Sequence, residues 1–134
     1  MSWSIIDTPG LPFIEVVYSG NITPADLSAA LAATAKAAKD SDRYRFLANC
    51  QQLEGGHSVT DLFYTMMEMT RLFETGADIR LREAVLLPAG KGPEELGGFW
   101  ETICVNRGFN VQLFHDRPQA IAWLTQEPPK APAA

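Results

Sequence analysis

The apolar positions of this chain fall into short runs whose spacing switches between two residues and three to four. Trp3 to Asp7 and Phe13 to Tyr18 read as strands, joined by Thr8-Pro9-Gly10-Leu11-Pro12. The prolines and glycine of that joint preset turn angles, and so short a gap predicts an antiparallel hairpin. Thr23-Pro24-Ala25-Asp26 then has the form of a helix start, with a capping threonine, a first-turn proline and a carboxylate near the positive end of the dipole. The alanine-rich run to about Lys39 propagates helix and presents a narrow stripe of Leu27, Ala30, Leu31, Thr34 and Ala38.

Tyr44 to Asn49 is a third strand, and Ser58 to Thr75 is the most strongly periodic helix. Val59, Leu62, Phe63, Met66, Met69 and Phe73 recur there at helical spacing, and Gly76 is its stop signal. Glu83 to Leu87 follows as a strand ended by Pro88. Pro93 to Gly108 is a helix, Asn110 to Phe114 a strand, and Arg117 to about Thr125 a last short helix. The predicted order is β-β-α-β-α-β-α-β-α. It describes an α/β fold with one mixed five-stranded sheet and four helices: the N-terminal hairpin is antiparallel and the later strands are parallel, because right-handed crossovers return the chain in one direction.

A chain of 134 residues with 46% hydrophobic and 20% charged positions is sized for one globular domain with its own core. Residues 1 to 125 form that domain, and the Pro/Ala-rich tail from 126 to 134 is predicted to be disordered. The net charge of −5 argues against nucleic acid as a partner, since binding it needs a basic face. No apolar run approaches a membrane span, and the start Met1-Ser2-Trp3-Ser4 lacks the pattern of a signal peptide, so a cytoplasmic location is expected. Cys50 and Cys104 have no close-spaced partners, which points to buried free thiols, no zinc pattern and no metal site. No cofactor motif is present either: Gly90-Lys91-Gly92-Pro93 lacks both the phosphate-loop and the dinucleotide spacing.

The element order resembles the STAS superfamily, which includes anti-sigma-factor antagonists. It is closer still to the SpoIIAA-like bacterial proteins, often grouped with STAS and SEC14-type lipid-binding domains. The stretch that carries the resemblance is Tyr44-Arg45-Phe46-Leu47-Ala48-Asn49-Cys50-Gln51-Gln52-Leu53-Glu54-Gly55-Gly56-His57-Ser58, a strand leading through a polar loop into an amphipathic helix. In the anti-sigma antagonists that helix opens on an Asp-Ser-Ser-Gly-like motif whose serine is phosphorylated. The matching place here, Gly56-His57-Ser58-Val59-Thr60, lacks the Asp-Ser pair and retains Ser58 as the candidate phosphosite. The resemblance implies a regulatory domain that acts by binding.

Ligands of open α/β sheets collect outside the carboxyl ends of the parallel strands. The loops expected there, Cys50 to His57, Ala89 to Gly92 and His115-Asp116, bring His57, Ser58, Lys91 and His115 to one rim. Ser58-Val59-Thr60-Asp61 is also a capping box, which accounts for the serine by local chemistry alone. Gly56-His57-Ser58 falls short of a nucleophile elbow because Thr60 stands where the second glycine belongs. The glycines beside Lys91 fit either an anion cradle or a plain turn into Pro93, and the two histidines fit loop polar groups. Met66, Met67 and Met69 suit either core packing or a deformable apolar groove.

These residues point to a non-enzymatic STAS-like binding or regulatory domain. It engages a partner protein or a small amphipathic, lipid-like ligand near the helix from 58 to 75. The expected contacts are Ser58 and His57 at the rim, Phe63, Met66 and Met67 as apolar wall, and Lys91 nearby. The alternatives are a small-molecule enzyme using His57, Lys91 and His115, and a homodimeric structural module.

Overall fold

The computed structural model describes residues 2–73 and 81–126. The strands are β1 (Trp3–Ile6), β2 (Ile14–Asn21), β3 (Arg45–Gly55), β4 (Arg82–Leu86) and β5 (Asn110–Phe114). The helices are α1 (Pro24–Ser41), α2 (Val59–Leu72), α3 (Lys91–Val105) and α4 (Arg117–Thr125). The element order is the predicted one. Gly76 and the tail from 127 onward lie outside the described residues, as do the last two positions expected of the 58–75 helix.

The strands lie in sequence order, β1-β2-β3-β4-β5. β1 pairs antiparallel with β2, and every later neighbour is parallel. Successive right-handed crossovers that step in one direction put their helices on one face. Accordingly α1, α2 and α3 pack side by side, and Ala35, Ala38, Met66, Met69 and Cys104 form a core with Phe46, Ala48 and Val85 of the sheet. α4 has no further strand to reach and folds onto the opposite face, where Ala120 and Leu124 cover Leu47, Ala84 and Leu86. The alternation of strand side chains divides these two cores residue by residue.

Local chemistry places the helix starts. Thr23 and Asp26 form a reciprocal capping box on α1, and Ser58 and Asp61 form another on α2. Asp116 caps α4 through the Gln119 amide. α1 is built from small residues on its inner side, and Ser28 donates from it to the Glu68 carboxylate on α2 at 2.9 Å.

On the α4 face, Glu15 is buried and held by two bonds from Arg117, at 2.6 and 2.9 Å, and a third from Asn49 at 3.0 Å. This links β2, β3 and the start of α4. The Arg117 guanidinium is the main cause that lowers the Glu15 carboxyl below its ordinary range. At the other end of α4, Arg82 donates to the carbonyls of Trp123 and Gln126, the first of which also accepts from the Gln126 amide.

Three boundaries differ from expectation in ways that bear on the site. α3 begins at Lys91, so Gly90-Lys91-Gly92-Pro93 is a helix cap and first turn, with Gly90 as cap residue, rather than an open loop. More consequentially, Cys50 to Gly55 is strand, not loop, and β2 likewise runs on to Asn21. The physical reason is mutual pairing. Beyond Asn49, β3 no longer pairs with β4 but continues alongside β2, matching Gln52 to Ser19 and Gly55 to Asn21. Its register slips twice on the way, so β3 carries an extra residue at each bulge.

Gly56 ends this extension at φ +93, and a Cβ there would stand 2.6 Å from the Ile22 backbone nitrogen. The close approach is sealed by the Ile22 amide donating to the Gly55 carbonyl at 2.8 Å. Gly56→Ala therefore meets both a strained backbone and a backbone collision. Urea unfolding should show a loss of about 2 kcal/mol or more, against a gain of about 0.5–1 kcal/mol for Gly98→Ala, where a Cβ meets open space within α3.

Candidate functional site

β3 runs on past the end of β4, and room is left between the sheet and its three-helix layer. A cavity of about 290 Å³ occupies it. α1 contributes Leu27 and Leu31, the β3 extension Leu53, α2 Leu62 and Met69, and α3 Leu96. Ile22, fully buried after β2, and Leu87, just beyond β4, complete the apolar lining. The narrow stripe read on α1 is thus of two kinds: Ala30, Thr34 and Ala38 are buried against the core, while Leu27 and Leu31 reach the cavity.

Few polar groups interrupt this lining. Glu83, in the middle of β4, shares its face with Val85 and looks toward the helices. The Trp100 indole N–H donates to its Oε1 at 2.6 Å. Glu83 is enclosed by protein and retains accessible surface where it borders the cavity. Burial raises its carboxyl above the ordinary 4.5, and the Trp100 bond opposes that rise only in part. Tyr18 lies beside it, its phenol pushed up by burial and by the proximity of Cys50 and Glu83. Tyr18 and Glu83, with Leu31, Ala48 and Met69, also line a separate void of about 30 Å³ bordered by Phe46 and Phe73, so the side of the larger cavity that faces the core is its inner end.

Cys50 borders the cavity as well. Burial, then Glu83, pushes its thiol up to about 12, and Cys104 is raised for the same two reasons. Both cysteines are free and buried. Thiols so placed stay protonated and make poor nucleophiles. At the outer end, His57 lines the cavity with its Nδ1 buried and without a hydrogen-bond partner. Glu54 lies there too and is exposed. No lysine or arginine is among the described residues of the lining.

The expected site residues separate into four groups. His57 reaches the cavity. Ser58 next to it is exposed, and its hydroxyl accepts from the Asp61 amide at 3.2 Å as the α2 cap. Met66 is 1% exposed and belongs to the core, while Phe63 and Met67 are 39% and 47% exposed on the outer side of α2. The α2 residues that wall the cavity are Leu62, Thr65 and Met69. Lys91 is exposed in the first turn of α3, and His115 meets Glu94 at 3.0 Å on the surface, so neither joins His57 at the cavity. Among the described residues, no group of three or more His, Cys, Asp or Glu is placed to hold a metal ion. No described helix is long and apolar enough to cross a membrane.

The residue that sequence inspection passed over is Glu83. Its signal was present: an acid in phase with Val85 and Leu87, on the face that the crossover helices must cover. An inward acid on a covered strand is either paired or bordering a space.

No family model matches the chain, and no curated protein matches it. Among solved structures, an uncharacterized protein of the DUF3478 family with a SpoIIAA-like fold, from Shewanella loihica PV-4, is similar to it. The match has a TM-score of 0.61 at 15% sequence identity and covers 91% of each chain. The SpoIIAA-like fold implied by the order of elements is therefore present. At that identity the likeness speaks for architecture.

The raised Glu83 carboxyl has a definite consequence for stability. A carboxyl that holds its proton more tightly when folded costs nothing below the ordinary value and costs progressively more as pH rises through the folded value. Glu83→Gln removes the ionisation and keeps an acceptor for Trp100. In urea unfolding between pH 4.5 and 8, the variant should gain on the wild type as pH rises; a constant difference would contradict the assigned environment.

Proposed function

We propose that this SpoIIAA-like domain is a non-enzymatic binding module, and that it holds a small amphipathic molecule in the cavity between the sheet and α1–α3. The observation that supports this is the cavity itself: apolar walls, a few polar groups at its ends, and a well-packed core around it. Small-molecule sites are concave and mostly apolar with few placed polar groups. The volume is about twice that of an apolar cavity able to accept benzene, which suits a molecule of about twelve heavy atoms.

The chemistry of the lining supports binding over turnover. The thiols are held protonated, and His57 stands without the lysine or second histidine that the enzymatic alternative requires. His57 offers one unpaired ring nitrogen to a bound molecule. Ser58 sits beside that end, where a phosphate would be drawn by the α2 N-terminus and repelled by Asp61, leaving modification a candidate means of regulation.

A second reading rests on a different surface. Val59, Phe63 and Met67 recur at four-residue spacing along the outside of α2, with Tyr64 beside them, and all four are exposed. A second copy of this chain docking there would bury the stripe.

Binding in the cavity is read by ¹H–¹⁵N NMR titration of the full chain with p-xylene, a probe without a polar group. Saturable shifts confined to residues around the cavity are expected. Leu31→Trp and Leu53→Trp, which fill it from two sides, should each weaken binding by about tenfold or more while circular dichroism stays unchanged. Shifts that never saturate would overturn the binding reading. For the second reading, sedimentation equilibrium should show a dimer that Met67→Glu dissociates; a monomer at all concentrations would exclude it.

A further inference from the structure

The cavity's polar groups are unevenly distributed, and their signs are unequal. The inner end carries an acid and a phenol, Glu83 and Tyr18. The outer end carries His57 and Glu54. No cationic lysine or arginine borders the space at either end among the described residues. We infer that the cavity takes its ligand polar end first, against Glu83 and Tyr18, and selects a neutral hydroxyl- or carbonyl-bearing molecule over a carboxylate. This rests on the binding reading above and specifies the ligand class.

Three observations carry the orientation. First, Glu83 spends one oxygen on the Trp100 indole at 2.6 Å, which fixes the carboxyl group and leaves its other oxygen for a ligand. Second, Tyr18 stands beside Glu83, so a hydroxyl or carbonyl brought there finds both a donor and an acceptor. A ligand entering tail first would instead set a methyl group against these groups and leave their hydrogen-bonding capacity unused, a loss in a dry site. Third, the polar pair lies on the core-facing side of the cavity, between it and the 30 Å³ void. The part walled by Leu27, Leu53, Leu62 and Leu96 is left for an alkyl or aryl body.

Charge carries the selectivity. A carboxylate placed at the inner end would lose its water, gain no cation, and face another acid. Placed at the outer end, it would stand beside the exposed Glu54 and have only the His57 imidazole, without a lysine or arginine among the described lining, to meet it. The Glu83 oxygen not bonded to Trp100 can accept from a hydroxyl, and the Tyr18 phenol can donate to a neutral oxygen.

The test compares octan-1-ol with octanoate at pH 7.5, where the acid is ionised, by NMR titration of the full chain with p-xylene as the headless control. The alcohol should bind at least about thirtyfold more tightly than octanoate. It should also move the Trp100 indole N–H resonance, which reports directly on Glu83. Glu83→Met should weaken octan-1-ol by about five- to tenfold with little change for p-xylene, and Glu83→Gln should restore most of the loss. Equal affinities for alcohol and carboxylate in the wild type, which needs no variant to be measured, would overturn the inference. So would an unchanged alcohol affinity in a folded Glu83→Met. If p-xylene binds under either result, only the orientation falls; if p-xylene fails to bind, the cavity reading falls with it.

Discussion

The pairing of β3 with two different partners is the constraint on which the rest of the molecule depends. Up to Asn49 it is a central strand, hydrogen-bonded to β2 on one side and β4 on the other. Past Asn49, which lies opposite the last residue of β4, it keeps only β2, and the register of that pair slips twice. A strand cannot leave one neighbour without opening a space beside it, and here the space lies under three helices. Gly56 holds the far end of the extension against the Ile22 backbone at a distance no side chain would permit. The cavity is thus a consequence of backbone pairing and of one glycine, with the side chains of α1, α2 and α3 lining what the backbone leaves open.

The two faces of the sheet treat a buried acid in opposite ways. Glu15, toward α4, accepts from Arg117 and Asn49, and its charge is held by them. Its lowered carboxyl contributes stability above the ordinary value of 4.5 and loses it as pH falls. Glu83, toward α1–α3, has one neutral donor and an apolar space, and burial favours its proton. One acid fastens a terminal helix across the sheet. The other borders a cavity whose described lining residues include no lysine or arginine. The difference is set by what each side chain meets, since both are glutamates on inner strands.

Helix α2 also has two faces with different roles. Leu62, Met66, Met69 and Phe73 point inward, and of these Leu62 and Met69 serve the cavity while Met66 is spent on the core. The outer face retains Val59, Phe63, Tyr64 and Met67 in the open. Methionine's adaptability was the reason to suspect a groove along this helix. The methionines instead divide between core, cavity and surface, and the cavity is walled mainly by leucines.

Much of the architecture was legible because the signals are local. The capping boxes at Thr23 and Ser58 close within three residues, and they start their helices wherever the chain goes afterward. The order of strands and helices, with short connections and a right-handed crossover, then leaves few arrangements for the sheet. The pattern of the 58–73 segment likewise determined which side of that helix is buried. What tertiary structure alone decided lies at positions whose state depends on distant partners. Cys50 to Gly55 reads as a polar loop by composition and becomes strand because residues 17 to 21, some thirty positions earlier, supply its hydrogen bonds. Glu83 reads as a polar edge to a strand and borders a cavity because α3 places Trp100 against it. A capping serine needs only its own neighbours, whereas a bulge and an enclosed acid require the chain to have folded.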